Sequence, residues 1–197
     1  MPGMVTRQSK GRERRRAIIE AAAEIIRDEG PSAVTHRAVA ARAECSLSAT
    51  TYYFSGLDEL LAEAGKVNIK RWAERAEAVA DEVERDGVPA TLAEAVEAIL
   101  RACLPRNISL ENHYRQLLAA AAADPIAGSY HAGRKRLDHA LGRVLRRIGC
   151  DMPPELVIAV VDCAAVTAIS EKRDVLKTGR ELVTLLIRDS WQPPATA

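Results

Sequence analysis

A chain of 197 residues, 48% of them hydrophobic, can bury a sizeable core, and a formal net charge of +1 argues against a uniformly basic or acidic surface. Its four cysteines, Cys45, Cys103, Cys150 and Cys163, form no CxxC pair, which argues against a disulfide framework and for a reducing, cytoplasmic setting. The longest apolar run, Leu156 to Ile169, contains Asp162 and is too short to cross a bilayer, so a soluble protein is expected.

The charge is unevenly placed. Between Met1 and Arg16 the basic residues Arg7, Lys10, Arg12, Arg14, Arg15 and Arg16 meet a single acid, Glu13, whereas Glu74 to Glu97 is acidic. A basic end on a near-neutral chain suggests one surface for a polyanion. Met1 to Lys10 reads as a frayed lead. A first helix is predicted over Gly11–Glu29, with Ile18, Ala21, Ala22 and Ile25 on one face and Gly30-Pro31 as its stop. Thr35 reads as an N-cap with Val34 and Val39 at staple positions, opening a short helix from His36 to Ala43 that turns Val39 and Ala40 inward. Glu44 and Cys45 form a turn, and Ser46 caps a helix from Leu47 to Tyr53. Ser55, with Asp58 as capping-box partner, opens a long fourth helix, Leu57–Arg85. Further helices are predicted at Thr91–Leu104, Ser109–Ala123, Pro125–Ile148, Pro154–Arg173 and Gly179–Trp191, separated by proline and glycine breaks. Gln192–Ala197 reads as a disordered tail. The fold class is therefore all-α, about nine helices, with an N-terminal helix-turn-helix unit over 1–55 and a larger helical body over 56–197.

The pair of short helices points to double-stranded DNA. In a helix-turn-helix the second helix enters the major groove and reads base edges with its N-terminal residues. Here that end presents Ser46, Leu47, Ser48, Ala49 and Thr50: hydroxyls for bases or phosphates, and apolar groups for thymine methyls. Arg37 suits a bidentate guanine contact and His36 a phosphate, while Thr35 offers a backbone amide at a helix N-terminus. Tyr52 and Tyr53 carry hydroxyls suited to phosphates but also fit as core aromatics, and Phe54 reads as an apolar plug against the fourth helix. The arm that includes Arg14 and Arg15 supplies sequence-independent affinity through counterion release.

The order G-x-x-A-V-T-x-R-x-V-A-x-R-A-x-C-S-x-x-x-x-Y-Y-F from Gly30 to Phe54, followed by Asp58-Glu59-Leu60-Leu61, resembles the N-terminal domain of the tetracycline-repressor (TetR) family of bacterial regulators. The resemblance covers Arg12 to Glu63. It implies that the third helix lies in the major groove and that Arg37, Ser46, Ser48, Ala49 and Tyr53 stand where the family touches DNA. It also implies a C-terminal domain that binds a small effector and forms a homodimer through the last two helices, here those near 154–173 and 179–191. Three positions depart from the pattern. Glu44 replaces a turn glycine, Thr51 a frequent tyrosine, and Leu57 a lysine that contacts phosphate. A non-glycine residue at positive φ costs on the order of 1 kcal/mol.

The body shows no catalytic motif, so a non-enzymatic regulator is expected, with an operator DNA, a small apolar effector and a second copy of itself as partners, and no cofactor. The runner-up is a helical small-molecule-binding or adaptor protein that has lost specific DNA binding. Helix eight, Leu156 to Val166, is apolar almost all round and must be covered on several sides. Candidate effector-lining residues are Trp72, Cys103, His113, Tyr114, Leu117 and Tyr130, with Leu104, Ile108 and Leu118 nearby. Each also fits as core. His113, His131 and His139 lack companions for a metal site, and none is expected.

Overall fold

The computed structural model describes residues 3–192 apart from 107, with side chains from Ser9 onward; Arg7 of the basic arm and the expected disorder of 193–197 therefore fall outside the described side chains and residues. The described chain is all-helical: α1 Gly3–Asp28, α2 His36–Arg42, α3 Leu47–Tyr53, α4 Leu57–Asp86, α5 Leu92–Cys103, α6 Leu110–Ala121, α7 Asp124–Arg147, α8 Pro154–Ser170 and α9 Val175–Ile187, with one 3-10 turn at Pro31–Ala33. An isolated antiparallel bridge between Cys150 and Trp191 is the only β-pairing among the described residues. Two compact units emerge: one runs to Ile69 and includes Arg115–Ala132, and the other comprises Lys70–Tyr114 and the chain from Gly133.

In the first unit, Ile18, Ala22, Ile25 and Ile26 of α1 share one core with Val34, Val39, Phe54, Leu60, Ala64, Ala120 and Ile126. Val34 and Val39, the staple positions, are both fully buried. α1 stops because Gly30 adopts φ +93°, where its N–H bonds back to the Ile25 carbonyl at 3.1 Å. A Cβ there would also lie 2.5 Å from Gln116 Oε1, the movable end of a side chain, so it is the positive φ that favours glycine. The buried polar groups of this unit are satisfied. Asn68 donates to the Ala23 carbonyl (3.3 Å) and accepts from Arg27 (2.6 Å), and Ser129 donates to the Ala62 carbonyl (2.8 Å).

In the second unit, α7 is held to α4 by a charge ladder. Arg136 clasps Glu77 through two 2.6 Å bonds, and Arg143 reaches Asp81 and Glu84. Glu77 and Glu84 are accordingly held below the usual carboxylate range, first by hydrogen bonds from these arginines. α8 packs against α9 and α5 with Val157, Ile158, Val161, Ala164, Ala165 and Ala168 buried.

Four expected boundaries move by three residues or more, among them the end of α9, at Ile187 instead of Trp191, and one capping partner differs. α1 begins at Gly3, eight residues before the expected start, because no proline or glycine lies between Met4 and Lys10 and the internal Gly11 costs only about 1 kcal/mol. α9 begins at Val175 instead of Gly179: Asp174 caps it by accepting from the Lys177 amide at 2.6 Å. Gly179 lies inside the helix, where a Cβ would sit 3.3 Å from Leu100 Cδ2, so its smallness serves the α5–α9 contact. α8 ends at Ser170, three residues short of Arg173, where Lys172 takes φ +55° and the Arg173 amide bonds back to the Ala168 carbonyl. Glu59, not Asp58, answers Ser55: its carboxylate accepts from both the Ser55 amide (2.8 Å) and hydroxyl (2.9 Å).

Phe54 is 2% exposed beneath this arrangement. Phe54→Ala is expected to lower stability by about 3–5 kcal/mol, read as a reduced urea midpoint with an unchanged slope.

Candidate nucleic-acid interface and buried polar cluster

Both caps that position the short helices form as the spacing predicts. Thr35 Oγ1 accepts from the Ala38 amide at 3.0 Å, and Ser46 Oγ accepts from the Ala49 amide at 3.3 Å while lying 3.0 Å from the Ser48 hydroxyl. Glu44, in the turn between them, adopts φ +49°, the left-handed conformation its glycine-like position demands. Arg14 Nη1 reaches the Glu44 carbonyl at 3.4 Å, so α1 supports this turn directly.

Thr35, Arg37, Ser46, Leu47 and Ser48 are exposed, and Ala49 is half-buried. Thr50 is not on that surface. It is fully buried, and its hydroxyl donates to the Leu47 carbonyl at 2.7 Å and stands 3.1 Å from His36 Nδ1. The one hydroxyl proton of Thr50 goes to the Leu47 carbonyl, which leaves the Thr50 oxygen as acceptor for His36 Nδ1. Tyr52 is 81% exposed; Tyr53 is half-buried with its ring edge-on to Tyr52, centroids 5.0 Å apart. Leu57, at the position of the absent lysine, packs against the core.

The basic arm splits by role. Lys10 and Arg14, one helical turn apart, line a cleft with Gly11, Glu13, Ala17, Tyr52 and Tyr53. Arg12 and Arg16 are exposed on another side of α1. Arg15 turns inward: its guanidinium lies 5.0 Å from the Phe54 ring centroid and pairs with Glu59 (3.7 Å) and Glu63 (3.5 Å). Arg15 is thus committed to holding α1 against α4.

Of the expected effector-lining residues, Trp72, Cys103, His113 and Tyr114 belong to the second unit, and Leu117 and Tyr130 to the first. Trp72 meets His113 edge-on at 5.6 Å, and His113 meets Tyr114 at 5.2 Å. Tyr130 bonds to Asn68, and burial pushes its phenol up to about 12. Leu104 is buried, while Ile108 and Leu118 lie on the surface. The residues the spacing did not single out are Arg75 and Asp162. Arg75 Nη2 donates to the Cys103 carbonyl at 2.9 Å, and Asp162 accepts from the Tyr114 hydroxyl at 2.9 Å. Burial raises the Asp162 carboxyl and pushes the Cys103 thiol up to about 12. The signal that marks Asp162 is its isolation as the one acid in the apolar stretch Leu156–Ile169; Arg75 stands one turn beyond Trp72. Among the described residues no three His, Cys, Asp or Glu side chains gather into a metal site, and no helix is long and apolar enough to cross a membrane.

Residues 18–64 match the model of bacterial regulatory proteins of the tetR family. No curated protein matches the chain in sequence. Among solved structures, the multidrug binding protein EbrR complexed with imidazole is similar at TM-score 0.63 and 24% identity, covering 93% of each chain. Its complex with ethidium aligns at 0.62 and 25% identity over 88% of this chain and 98% of that one. The SmeT–triclosan complex aligns at 0.55 and 15% identity over 94% and 97%.

Burial, then the nearby Arg75 charge, depresses His113 from its ordinary 6.5 to about 4. The unfolded chain therefore takes up this proton first as pH falls. The contribution of His113 is fully present above 6.5 and is lost as pH drops towards 4. Replacing His113 with Gln is expected to make the loss of stability between those limits shallower in urea titrations run across the range.

Proposed function

We propose that this chain, a member of the tetR family of bacterial regulatory proteins by its N-terminal domain and its fold, is a ligand-responsive, DNA-binding transcriptional regulator that acts in the cytoplasm as a repressor. The observation that carries this reading is the exposed N-terminal end of α3, with Ser46, Leu47 and Ser48 exposed as Arg37 of α2 is, on a helix whose other face is closed by Thr50. Residues 1–55 serve as the DNA-binding domain and 56–197 as the effector-binding and dimerisation domain. Thr35, Ser46, Ser48 and Ala49 sit against the major groove, Arg37 reads a base, and Lys10, Arg14, Tyr52 and Tyr53 reach backbone phosphates.

The dimer uses α8 and α9. An exposed apolar stripe of Leu156, Ala159, Cys163 and Val166 runs along α8 at three- and four-residue spacing, and Leu185 of α9 is 55% exposed. A two-fold axis through this face makes it self-complementary, and a dimer of helix-turn-helix proteins is expected to read half-sites about 34–36 Å apart. EbrR and SmeT, which share the fold, are solved with small molecules bound, and that supports an effector site in the body. Effector binding shifts the population towards a state whose reading helices no longer match successive grooves, with α4, which contributes residues to both units, as the connecting element.

Selection of bound duplexes from random DNA, followed by gel shift, tests the reading. A two-fold-symmetric site is expected, and the absence of any sequence preference would leave a helical ligand-binding protein without operator function. Arg37→Ala is expected to relax the preference at one base pair in each half-site, a loss of about 1–3 kcal/mol. Arg14→Ala is expected instead to weaken all sequences alike and reduce the salt slope by about one. Arg15→Ala is expected to lower thermal stability, because Arg15 holds Phe54, Glu59 and Glu63.

A further inference from the structure

Among the described residues of the second unit, Arg75 is the charged side chain with a donor shut from solvent and left without a partner. A guanidinium carries five N–H donors. The structure gives this one a single acceptor, the Cys103 carbonyl at the C-terminal end of α5, and shuts Nε away from solvent with no hydrogen-bond partner among the described residues. No carboxylate among the described residues pairs with it. Asp162, the buried acid of the same unit, is answered elsewhere: it accepts from Tyr114, and the opposite charge that acts on it is Arg134. The other side-chain donor closed off without a partner among the described residues is the indole N–H of Trp191, which carries no charge. A buried donor left unmatched costs about 1–3 kcal/mol, more when charged, and an unpaired buried charge is strongly destabilising.

The groups around Arg75 say what would answer it. Trp72 precedes it by one turn of α4, and His113 and Tyr114 extend an edge-to-face aromatic series from Trp72. Burial and the Arg75 charge depress His113 to about 4, so the series adds no second cation, and the acid at its far end, Asp162, is bonded to the Tyr114 hydroxyl. Aromatic edges suit a flat ring, and the Nε side of a guanidinium suits a planar, two-oxygen acceptor.

Resting on the effector-site reading above, we infer that the effector is an aromatic or similarly flat apolar molecule bearing one carboxylate, with the ring against Trp72, His113 and Tyr114 and the carboxylate on Arg75. This narrows the expected apolar effector to an amphipathic anion and separates the chain from EbrR, whose solved ligand ethidium is a cation.

Isothermal titration of the full-length protein with 2-naphthoate and with its neutral isostere 2-naphthamide tests the inference. The acid is expected to bind at least about tenfold more tightly than the amide, the size of a charge-assisted bond made in place of an unmatched donor. Arg75→Met should bring the two to near-equal affinity, and Arg75→Lys, which keeps the charge without the fork, should retain an intermediate preference. Equal affinities in the unsubstituted protein would overturn the inference. So would a preference that survives in Arg75→Met, which would leave Arg75 as a cap for the end of α5, or no naphthoate binding at all. If Arg75→Met does not fold by circular dichroism, the unsubstituted protein and Arg75→Lys decide the matter. A gel shift on the same preparation separates the two readings. Operator binding without the naphthoate preference keeps the regulator and removes the anion, and the preference without any operator binding does the reverse.

Discussion

A seven-residue helix does not persist alone in water, because nucleation is unfavourable and few backbone bonds repay it. α3 exists, and points where it does, because its centre and its C-terminal end are fixed by tertiary burial. Thr50 is enclosed at its centre, and Phe54, immediately past its last turn, is driven into the core shared by α1, α2 and α4. Arg15 closes that pocket by lying over the Phe54 ring and pairing with two acids of α4. The N-terminal end of α3 is consequently held out by a buried base. Any reading of bases by Ser46 or Ser48 depends on this ring staying where it is.

The same arrangement explains how a glutamate is tolerated in the turn. Glu44 at φ +49° carries a steric cost of about 1–2 kcal/mol that glycine would avoid. Its carbonyl accepts from Arg14, and the Cys45 amide bonds to the Ala40 carbonyl at 3.0 Å, so neither backbone group at the turn is orphaned. The departure from the family pattern changes the local energy without opening the turn.

Features set by short-range rules were legible in the sequence. The caps at Thr35 and Ser46, the stop at Gly30 and the inward positions Val39, Ala40 and Phe54 all follow from spacing and backbone chemistry within a few residues. Thr50 is buried and Arg15, though partly exposed, is drawn to Phe54 and α4, and periodicity marks both. Arg15 shares the stripe of Ile18, Ile19 and Ala22, and Thr50 lies one turn before Phe54. Residue type outweighed position in those two cases. Gly179 misled for the converse reason: it reads as a breaker, but its size is set by Leu100, far away in sequence. The pairing of Tyr114 with Asp162 and the isolation of Arg75 were not legible at all, because they depend on which helices meet rather than on any local pattern.

The two units treat their buried polar groups differently, and this difference bears on how a regulator can respond. In the first, Asn68 and Ser129 have their partners, so the reading unit has no internal demand left for a ligand to meet. In the second, Arg75 retains an unmatched donor. A ligand shifts an equilibrium only by its difference in affinity for the two states. A fully satisfied site offers little such difference, whereas a charge that lacks an acceptor in one state and gains one from a ligand offers a large one. Arg75 also lies on α4, the helix whose earlier residues Leu60 and Ala64 belong to the core around Phe54. The group that the proposed ligand would satisfy and the core under the proposed reading helix therefore draw on one continuous helix, the element through which the proposed coupling would run.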